Sequence, residues 1–134
     1  MGVAEMAIEK KSFEEIWLEA CEAGLNAVKE LNVIPMIVQE HANPFDDNSP
    51  VVKQWYEPEG VCGFAWVLVK PGNCKFANWL KKNGKARPDS YYGGVSIWIS
   101  QFGQSMQKKE AYAIAMADVF RKYDIRATYM SRLD

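Results

Sequence analysis

The sequence has few of the residues from which catalytic and metal sites are usually built. Its 134 residues include one histidine, His41, and three cysteines, Cys21, Cys62 and Cys74. These residues form neither the Cys-X-X-Cys pairs of structural zinc nor a helical face with two histidines, so we expect no metal site. The odd number and wide spacing of the cysteines are typical of free thiols in a reducing compartment, and we expect no disulfide.

Long hydrophobic runs are also missing. The longest apolar stretch, residues 61–69, is about half of the roughly 20 residues that a membrane-spanning helix needs, so we expect no membrane association. Residues 1–6 lack the layout of a secretion signal, which favours a protein that stays in the cytoplasm. With 49% hydrophobic and 25% charged residues, the composition is typical of a folded chain, and we expect only residues 1–11 to be flexible.

The two halves of the chain carry opposite charge. Residues 1–60 contain twelve acidic and four basic residues, whereas residues 61–134 contain five acidic and twelve basic ones. Neither half is long enough to bury a core of its own, so we predict one domain over residues 1–134 in which the halves neutralise each other. The basic half is a candidate surface for binding anions.

The hydrophobic pattern predicts three helices and four or five strands. The helices have amphipathic spacing after a capping residue, and we place their starts at Ser12, Asn73 and Ser105. Ser12 with Glu15 forms a capping box, and Gly84 ends the second helix. Strands are predicted for the short apolar or alternating segments 33–39, 51–56, 61–69, 95–100 and 125–130. Segment 61–69 is apolar at every other position on both faces, which predicts a central strand.

The order of these elements favours one α/β domain with a mixed sheet of four to five strands and three helices. Strand–helix–strand units prefer right-handed crossovers, which place helices against a sheet. The order of elements along the chain does not fix which strands are neighbours. A ferredoxin-like α+β two-layer sandwich is therefore the alternative.

A few reactive side chains are candidates for catalysis. His41 follows the first predicted strand, and Asp46 and Asp47 lie a few residues further on. An imidazole near Cys62 or Cys74 would generate an attacking thiolate, which supports the hypothesis of a small hydrolase or transferase that uses His41. The spacing matches no known signature, and the acidic pair is typical of a turn. We therefore expect binding rather than catalysis.

Two groups of basic residues are candidates for binding anions. Ser105, Lys108 and Lys109 lie at the start of the third predicted helix, where backbone N–H groups can hold an anion or where Ser105 simply caps the helix. The second group surrounds the second helix, with aromatic residues nearby: Lys75, Lys81, Lys82, Lys85, Arg87, Trp79, Tyr91 and Tyr92. Base stacking with phosphate pairing there would bind a single-stranded nucleic acid, and a solvated basic face is the alternative. Gly93 and Gly94 precede a strand and make no phosphate-cradling loop, so we expect no cofactor.

Aromatic residues are abundant, with five tryptophans, six tyrosines and six phenylalanines. Trp55 and Tyr56 in the edge segment, and Tyr91 and Tyr92 beside a turn, lie outside the predicted core stripes. Exposed aromatic pairs of this kind are typical of interface cores. We predict that they contact a protein partner or a second copy of the chain, with simple loop packing as the alternative.

Several segments resemble a known group of proteins. They are NPFDDNSPVVKQWY at 43–56, GFAW at 63–66, KFANWLKK at 75–82, YYGGVSIWIS at 91–100, QSMQKKEAYA at 104–113 and SRLD at 131–134. Together they resemble small uncharacterised proteins of tailed bacteriophages, especially marine ones. The resemblance implies a viral protein in the cytoplasm of the infected bacterium or in the virion, and it implies no activity or functional residue.

The leading hypothesis from the sequence is therefore a non-enzymatic interaction or structural accessory protein of a phage. The two alternatives are a small enzyme that uses His41 and a protein that binds single-stranded nucleic acid. These hypotheses differ in which side chains the fold must bring together.

Overall fold

A computed structural model describes residues 11–33, 36–43, 45, 48–57 and 60–134. The elements in these ranges are α1 (Phe13–Glu30), β1 (Met36–His41), β2 (Val51–Glu57), β3 (Gly63–Lys70), α2 (Lys75–Lys82), β4 (Arg87–Pro88), β5 (Val95–Trp98), α3 (Met106–Lys122) and β6 (Arg126–Leu133). The predicted flexible segment, residues 1–11, lies outside the described residues except for Lys11. Among the described helices, none is long and apolar enough to cross a membrane.

Strands β3, β4, β5 and β6 form a four-stranded sheet in the order β4-β5-β3-β6, and every neighbouring pair is antiparallel. Both β5 and β6 run antiparallel to β3, so they run parallel to each other, and α3 connects them across β3. The parallel relation that a crossover predicts therefore holds between β5 and β6, with β3 between them. Strand β3 is central, as its two apolar faces predicted.

The prediction of one α/β domain with three helices and a mixed sheet of four to five strands is confirmed for the described part of the chain in its fold class and element numbers, and the four strands of the sheet are all antiparallel to their neighbours. The connectivity β3-α2-β4-β5-α3-β6 with antiparallel neighbours is the strand–helix–strand–strand–helix–strand pattern of ferredoxin-like sandwiches. The alternative that was predicted from the sequence thus gives the better description of the sheet. Strands β1 and β2 instead form an antiparallel hairpin of their own, in which Val38 lies opposite Trp55.

The three described helices share one core with one face of this sheet. Alternate side chains along β3 enter the core together with two residues of β5, because successive side chains in a strand point to opposite faces. The core on this helix-covered face contains Ala65, Val67, Val69, Val95 and Ile97 from the sheet and Ile16, Ala20, Phe76, Leu80, Met116 and Phe120 from the helices. The fold therefore has two layers, and the other face of the sheet lies away from the helices.

Helix α1 is attached to α3 by close packing and by ion pairs. A Cβ atom on Gly24 would lie 2.7 Å from the ring of Tyr112, so a glycine lets the two helices approach. Glu19 of α1 accepts hydrogen bonds from Lys122 and from Tyr123 at the end of α3. Both hydrogen bonds lower the pKa of the Glu19 carboxyl below its usual value, and the one from Lys122 has the larger effect.

The helix ends agree with the predicted caps except at α2. Ser12 and Glu15 form the capping box, and the Ser105 hydroxyl accepts from the backbone N–H of Lys108. The cap of α2 is Cys74 rather than Asn73. The chain turns from Pro71 first, so Cys74 has the extended backbone of a cap, and its Sγ accepts from the N–H of Ala77 at 3.4 Å.

Candidate functional site

The face of the sheet opposite the helices carries three aromatic rings in contact. Phe64 and Trp66 alternate with the core residues of β3, and Trp98 of β5 lies directly opposite Trp66 in the antiparallel register. The rings of Trp66 and Trp98 stack with centroids 4.6 Å apart and planes 24° apart. Phe64 contacts Trp98 edge to face at 6.1 Å. We call these three residues the aromatic row.

The aromatic row presents one broad ring to solvent. Trp98 is 46% exposed, whereas Trp66 beneath it is only 6% exposed. The backbone of Trp98 pairs with that of Trp66 in β3, and the two rings stack, whereas β4 pairs only with Val95 and Ser96 of β5. Trp98 is therefore a flat apolar surface held in place by the ring beneath it.

The charged residues of the four strands are all basic. They are Lys70 in β3, Arg87 in β4, and Arg126 and Arg132 in β6, and we call them the sheet cations. All four side chains are exposed. Acidic residues are missing from these four strands, which the structure describes in full. The sheet therefore concentrates positive charge in a chain whose net charge is −1.

The strand register places the sheet cations on the same face as the aromatic row. Arg132 lies opposite Phe64, and its guanidinium carbon is 5.2 Å from the centre of that ring. Arg126 lies opposite Lys70, which follows Phe64 and Trp66 on the same side of β3. Residues directly opposite each other in an antiparallel pair project to one face. Positive charge therefore borders the rings at both ends of β6.

Arg87 belongs to the same face by the register of two strand pairs. Arg87 lies opposite Ser96, and Ser96 lies opposite Leu68, which shares the face of Trp66. This places a basic side chain on the edge strand beside β5. The sheet cations thus surround the aromatic row on three of the four strands.

A cleft of about 370 Å³ opens beside the exposed ring of Trp98. It is lined by Trp66, Trp98, Asp89, Tyr91, Tyr92, Ser131 and Arg132, and we call it the tyrosine cleft. Tyr91 is 84% exposed, and its ring meets that of Tyr92 edge to face at 4.6 Å. The cleft joins the aromatic row to the turn between β4 and β5.

Asp89 holds the turn that carries the two tyrosines. Its Oδ1 accepts the backbone N–H of Tyr91 at 2.9 Å and that of Tyr92 at 2.8 Å. Gly94 closes the turn at a φ of 70°, and a Cβ there would lie 2.4 Å from the carbonyl oxygen of Val69. Only glycine fits this approach. The Asp89 carboxylate is consequently fixed at the rim of the cleft.

Trp66 carries an unpaired donor inside the fold. Its Nε1–H is buried and has no hydrogen-bond partner among the described residues. Burying an N–H without a partner costs roughly 1–3 kcal/mol, so such groups are uncommon in folded proteins. This N–H is buried from solvent, so it is not offered to a molecule in the tyrosine cleft.

A second cavity, of about 520 Å³, lies at the other end of the sheet. Its lining includes Lys70, Arg126 and Arg121, together with Leu68, Asp124, Ile125, Ala127 and Thr128. Arg121 is engaged within the fold, because it donates to the carbonyl oxygen of Ala127 at 2.8 Å and pairs with Asp118. Lys70 and Arg126 thus connect this cavity with the face that bears the aromatic row.

No hydrogen bond joins the candidate catalytic residues His41, Cys62 and Cys74 in the described part of the chain. The Nδ1 atom of His41 lies 2.9 Å from the carbonyl oxygen of Ser49, within its own loop. Cys62 precedes β3 and Cys74 follows it, so the eight residues of that strand separate the two thiols. Asp46 and Asp47 lie outside the described residues. The structure describes no group of three metal-binding side chains in the rest of the chain.

The first group of predicted anion-binding residues is built into the start of α3. Ser105 is fully buried as the helix cap. Lys109 is 6% exposed, donates to the carbonyl oxygen of Gly63 at 3.3 Å and lies 5.4 Å from the ring centre of Phe64. Lys108 contributes the backbone N–H that the Ser105 hydroxyl accepts. Ser105 and Lys109 therefore have clear structural roles, and anion binding at this helix start stays a prediction.

The second basic group is divided by the fold. Lys81 donates to the carbonyl oxygen of Gly72 at 2.9 Å, and Lys85 lies over the ring of Trp17. Trp79 packs against Phe13 and Phe76. Lys82 is exposed in the last turn of α2. Of this group, Arg87 alone is placed by the register on the face of the aromatic row.

The four predicted interaction residues fall into two separate places. Tyr91 and Tyr92 line the tyrosine cleft. Trp55 and Tyr56 belong to β2 of the hairpin, where they lie opposite Val38 and Ile37. Sequence analysis missed Trp98, Lys70, Arg126 and Arg132 as members of one surface. Their alternation with core residues in three strands was the signal that would have identified it.

Comparisons with known proteins identified no relative of this chain. A scan against protein-family models, a search of curated proteins and a search of solved structures found no match for this chain. The resemblance to bacteriophage proteins therefore stays a prediction. The function has to be argued from the side chains of the sheet.

Proposed function

We propose that this protein binds single-stranded nucleic acid on the face of the sheet that carries the aromatic row and the sheet cations. The observation that carries the proposal is the position of Trp98. It is a half-exposed ring on a central strand, and the charged side chains in the four strands around it are all basic. Such an interface combines aromatic rings, on which the bases stack, with cations that pair with the phosphates.

The aromatic row supports binding to single strands rather than to duplexes. Bases in a duplex are stacked on one another, whereas those of a single strand can stack on protein rings. RNA-binding modules with a four-stranded sheet hold two or three bases on aromatic side chains of that sheet. Phe64, Trp66 and Trp98 occupy β3 and β5, the two inner strands. A base that stacks on Trp98 would cover the exposed part of that indole.

The arrangement of charge supports a polyanionic partner. Lys70 and Arg126 lie at one end of the β3–β6 pair, and Arg132 lies six residues further along β6. At about 3.3 Å per residue, the two ends are roughly 20 Å apart, which spans several nucleotides of an extended strand. Four cations without an acidic residue in the same four strands match the repeated phosphates of a polyanion. We therefore favour nucleic acid over the protein partner that is the leading hypothesis from the sequence.

The proposal predicts that the Trp98→Ala variant loses most of its affinity for single strands. The measurement is the fluorescence anisotropy of a labelled twelve-nucleotide oligonucleotide of mixed sequence at about 50 mM salt, where phosphate contacts are strong. Removal of one stacking ring costs about 1–3 kcal/mol, so the affinity should fall by roughly tenfold or more. Phe45→Ala is the matched control, because Phe45 is 97% exposed and belongs to the hairpin loop.

Three results would contradict the proposal. The first is failure of the wild-type protein to bind the oligonucleotide. The second is equally tight binding of a duplex of the same sequence. The third is a loss of affinity in Phe45→Ala as large as that in Trp98→Ala. Light scattering on the same samples tests the partner class. Self-association that depends on Trp98, without oligonucleotide binding, would assign this face to a second copy of the chain.

A further inference from the structure

We infer that the tyrosine cleft receives one base of the bound strand and selects cytosine over thymine. This inference rests on the proposed function and names the chemistry that the same surface recognises. Its basis is the combination of one fixed carboxylate, Asp89, with one arginine, Arg132, in the lining of a cleft that has aromatic walls.

The position of the cleft makes it an extension of the stacking surface. Trp98 belongs both to the aromatic row and to the lining of the cleft, and Tyr91 and Tyr92 stand on the turn beside it. A strand that stacks one base on Trp98 therefore brings its next base to the tyrosines. Flat rings on several sides accept a flat base edge, and they leave the polar groups of the lining to distinguish one base from another.

Asp89 is the group that distinguishes the bases. Its Oδ1 already accepts two backbone N–H groups of the turn, which fixes the carboxylate and leaves Oδ2 as an acceptor. An ionised carboxylate cannot donate a hydrogen bond. The 4-amino group of cytosine donates to such an acceptor, whereas thymine presents a carbonyl oxygen at the same position. Two facing acceptors repel, so thymine is disfavoured.

Another polar group of the lining suits the rest of the cytosine edge. Arg132 carries several N–H donors and no acceptor, and it lines the same cleft as Asp89. Besides its amino group, the same edge of cytosine carries two acceptors, the ring nitrogen N3 and the exocyclic oxygen O2. The Asp89 acceptor and the Arg132 donors therefore match the amino group and the two acceptors of the base.

The test compares oligo(dC) with oligo(dT), twelve nucleotides each, by fluorescence anisotropy at about pH 8, where cytosine is unprotonated. We expect wild-type protein to bind oligo(dC) about tenfold more tightly, the effect of one hydrogen bond gained against a repulsive pair. In Asp89→Asn the amide oxygen can still hold the turn, while the amide NH₂ replaces the second oxygen and donates. The preference should then disappear or reverse toward oligo(dT).

Asp118→Asn is the matched control, because Asp118 is an exposed residue of α3 that undergoes the same chemical change. It should keep the wild-type preference. Equal binding of both oligonucleotides by the wild type, or an unchanged preference in Asp89→Asn with wild-type thermal stability, overturns the inference and leaves the proposed function standing. Failure of every oligonucleotide to bind overturns both.

Discussion

The dependence of binding on salt is the most direct test of the sheet cations. A protein that neutralises Z phosphates of a single strand releases their counterions, and log K then falls with log[salt] at a slope of about −0.7Z. If each of the four sheet cations contacts one phosphate, the expected slope is about −2.8. A rise from about 50 to 200 mM salt should then weaken binding by roughly 50-fold.

The Lys70→Gln/Arg126→Gln double variant removes the pair that faces across β3 and β6. Its slope should be about −1.4, so the same change in salt should weaken binding by only roughly sevenfold. Lys82→Gln is the control, because Lys82 is an exposed cation of α2 away from this face. Its slope should equal that of the wild type.

The assay is a titration of a labelled oligonucleotide at four or more KCl concentrations, followed by anisotropy. A wild-type slope near zero would refute the electrostatic argument, since surface cations that touch phosphates must release counterions. An equal reduction of the slope by Lys82→Gln would refute the location. In that case the binding surface would be the basic group around α2 that the sequence predicts.

Two further predictions test the fold that supports this face. Gly24→Ala should lower the free energy of unfolding, measured by urea denaturation, by roughly 1–2 kcal/mol, because overpacking against Tyr112 outweighs the gain in helix propensity. A stabilised variant would contradict the packing of α1 on α3. Glu19→Gln should flatten the loss of stability between about pH 5 and pH 3 in thermal melts. The pKa of Glu19 is lower in the folded than in the unfolded protein, so its carboxylate contributes stability above the unfolded pKa, and this contribution is lost as pH falls through the folded pKa. An unchanged pH profile would contradict the Glu19–Lys122 contact.

Local chemistry made the helices and strands predictable. The capping box at Ser12 and Glu15, the cap at Ser105 and the left-handed Gly84 all lie where their side chains or backbone freedom require. The ends of strands were less predictable. Segment 95–100 is a strand only to Trp98, and the last strand runs on to Leu133, because pairing with β3, rather than propensity, decides where each one stops.

The candidate site was less predictable than the fold, because it depends on register. The sequence suggests grouping Lys81, Lys82 and Arg87, which are close in the chain. The sheet instead joins Lys70 to Arg126, which lie far apart in the chain, by placing β3 beside β6. Which face of β5 the helices cover also decides whether Trp98 is core or surface. Neither fact is contained in any single segment.

The opposite charges of the two halves take on a different meaning in the fold. The sequence predicted that they neutralise each other, and Glu19 with Lys122 does so between α1 and α3. The other glutamates of α1 belong to the helix layer, however, while the sheet cations project from the opposite face. The charges cancel in the sum but stay separate in space. A chain of net charge −1 can therefore present a positive face to a polyanion, and its acidic helix then faces away from the bound strand.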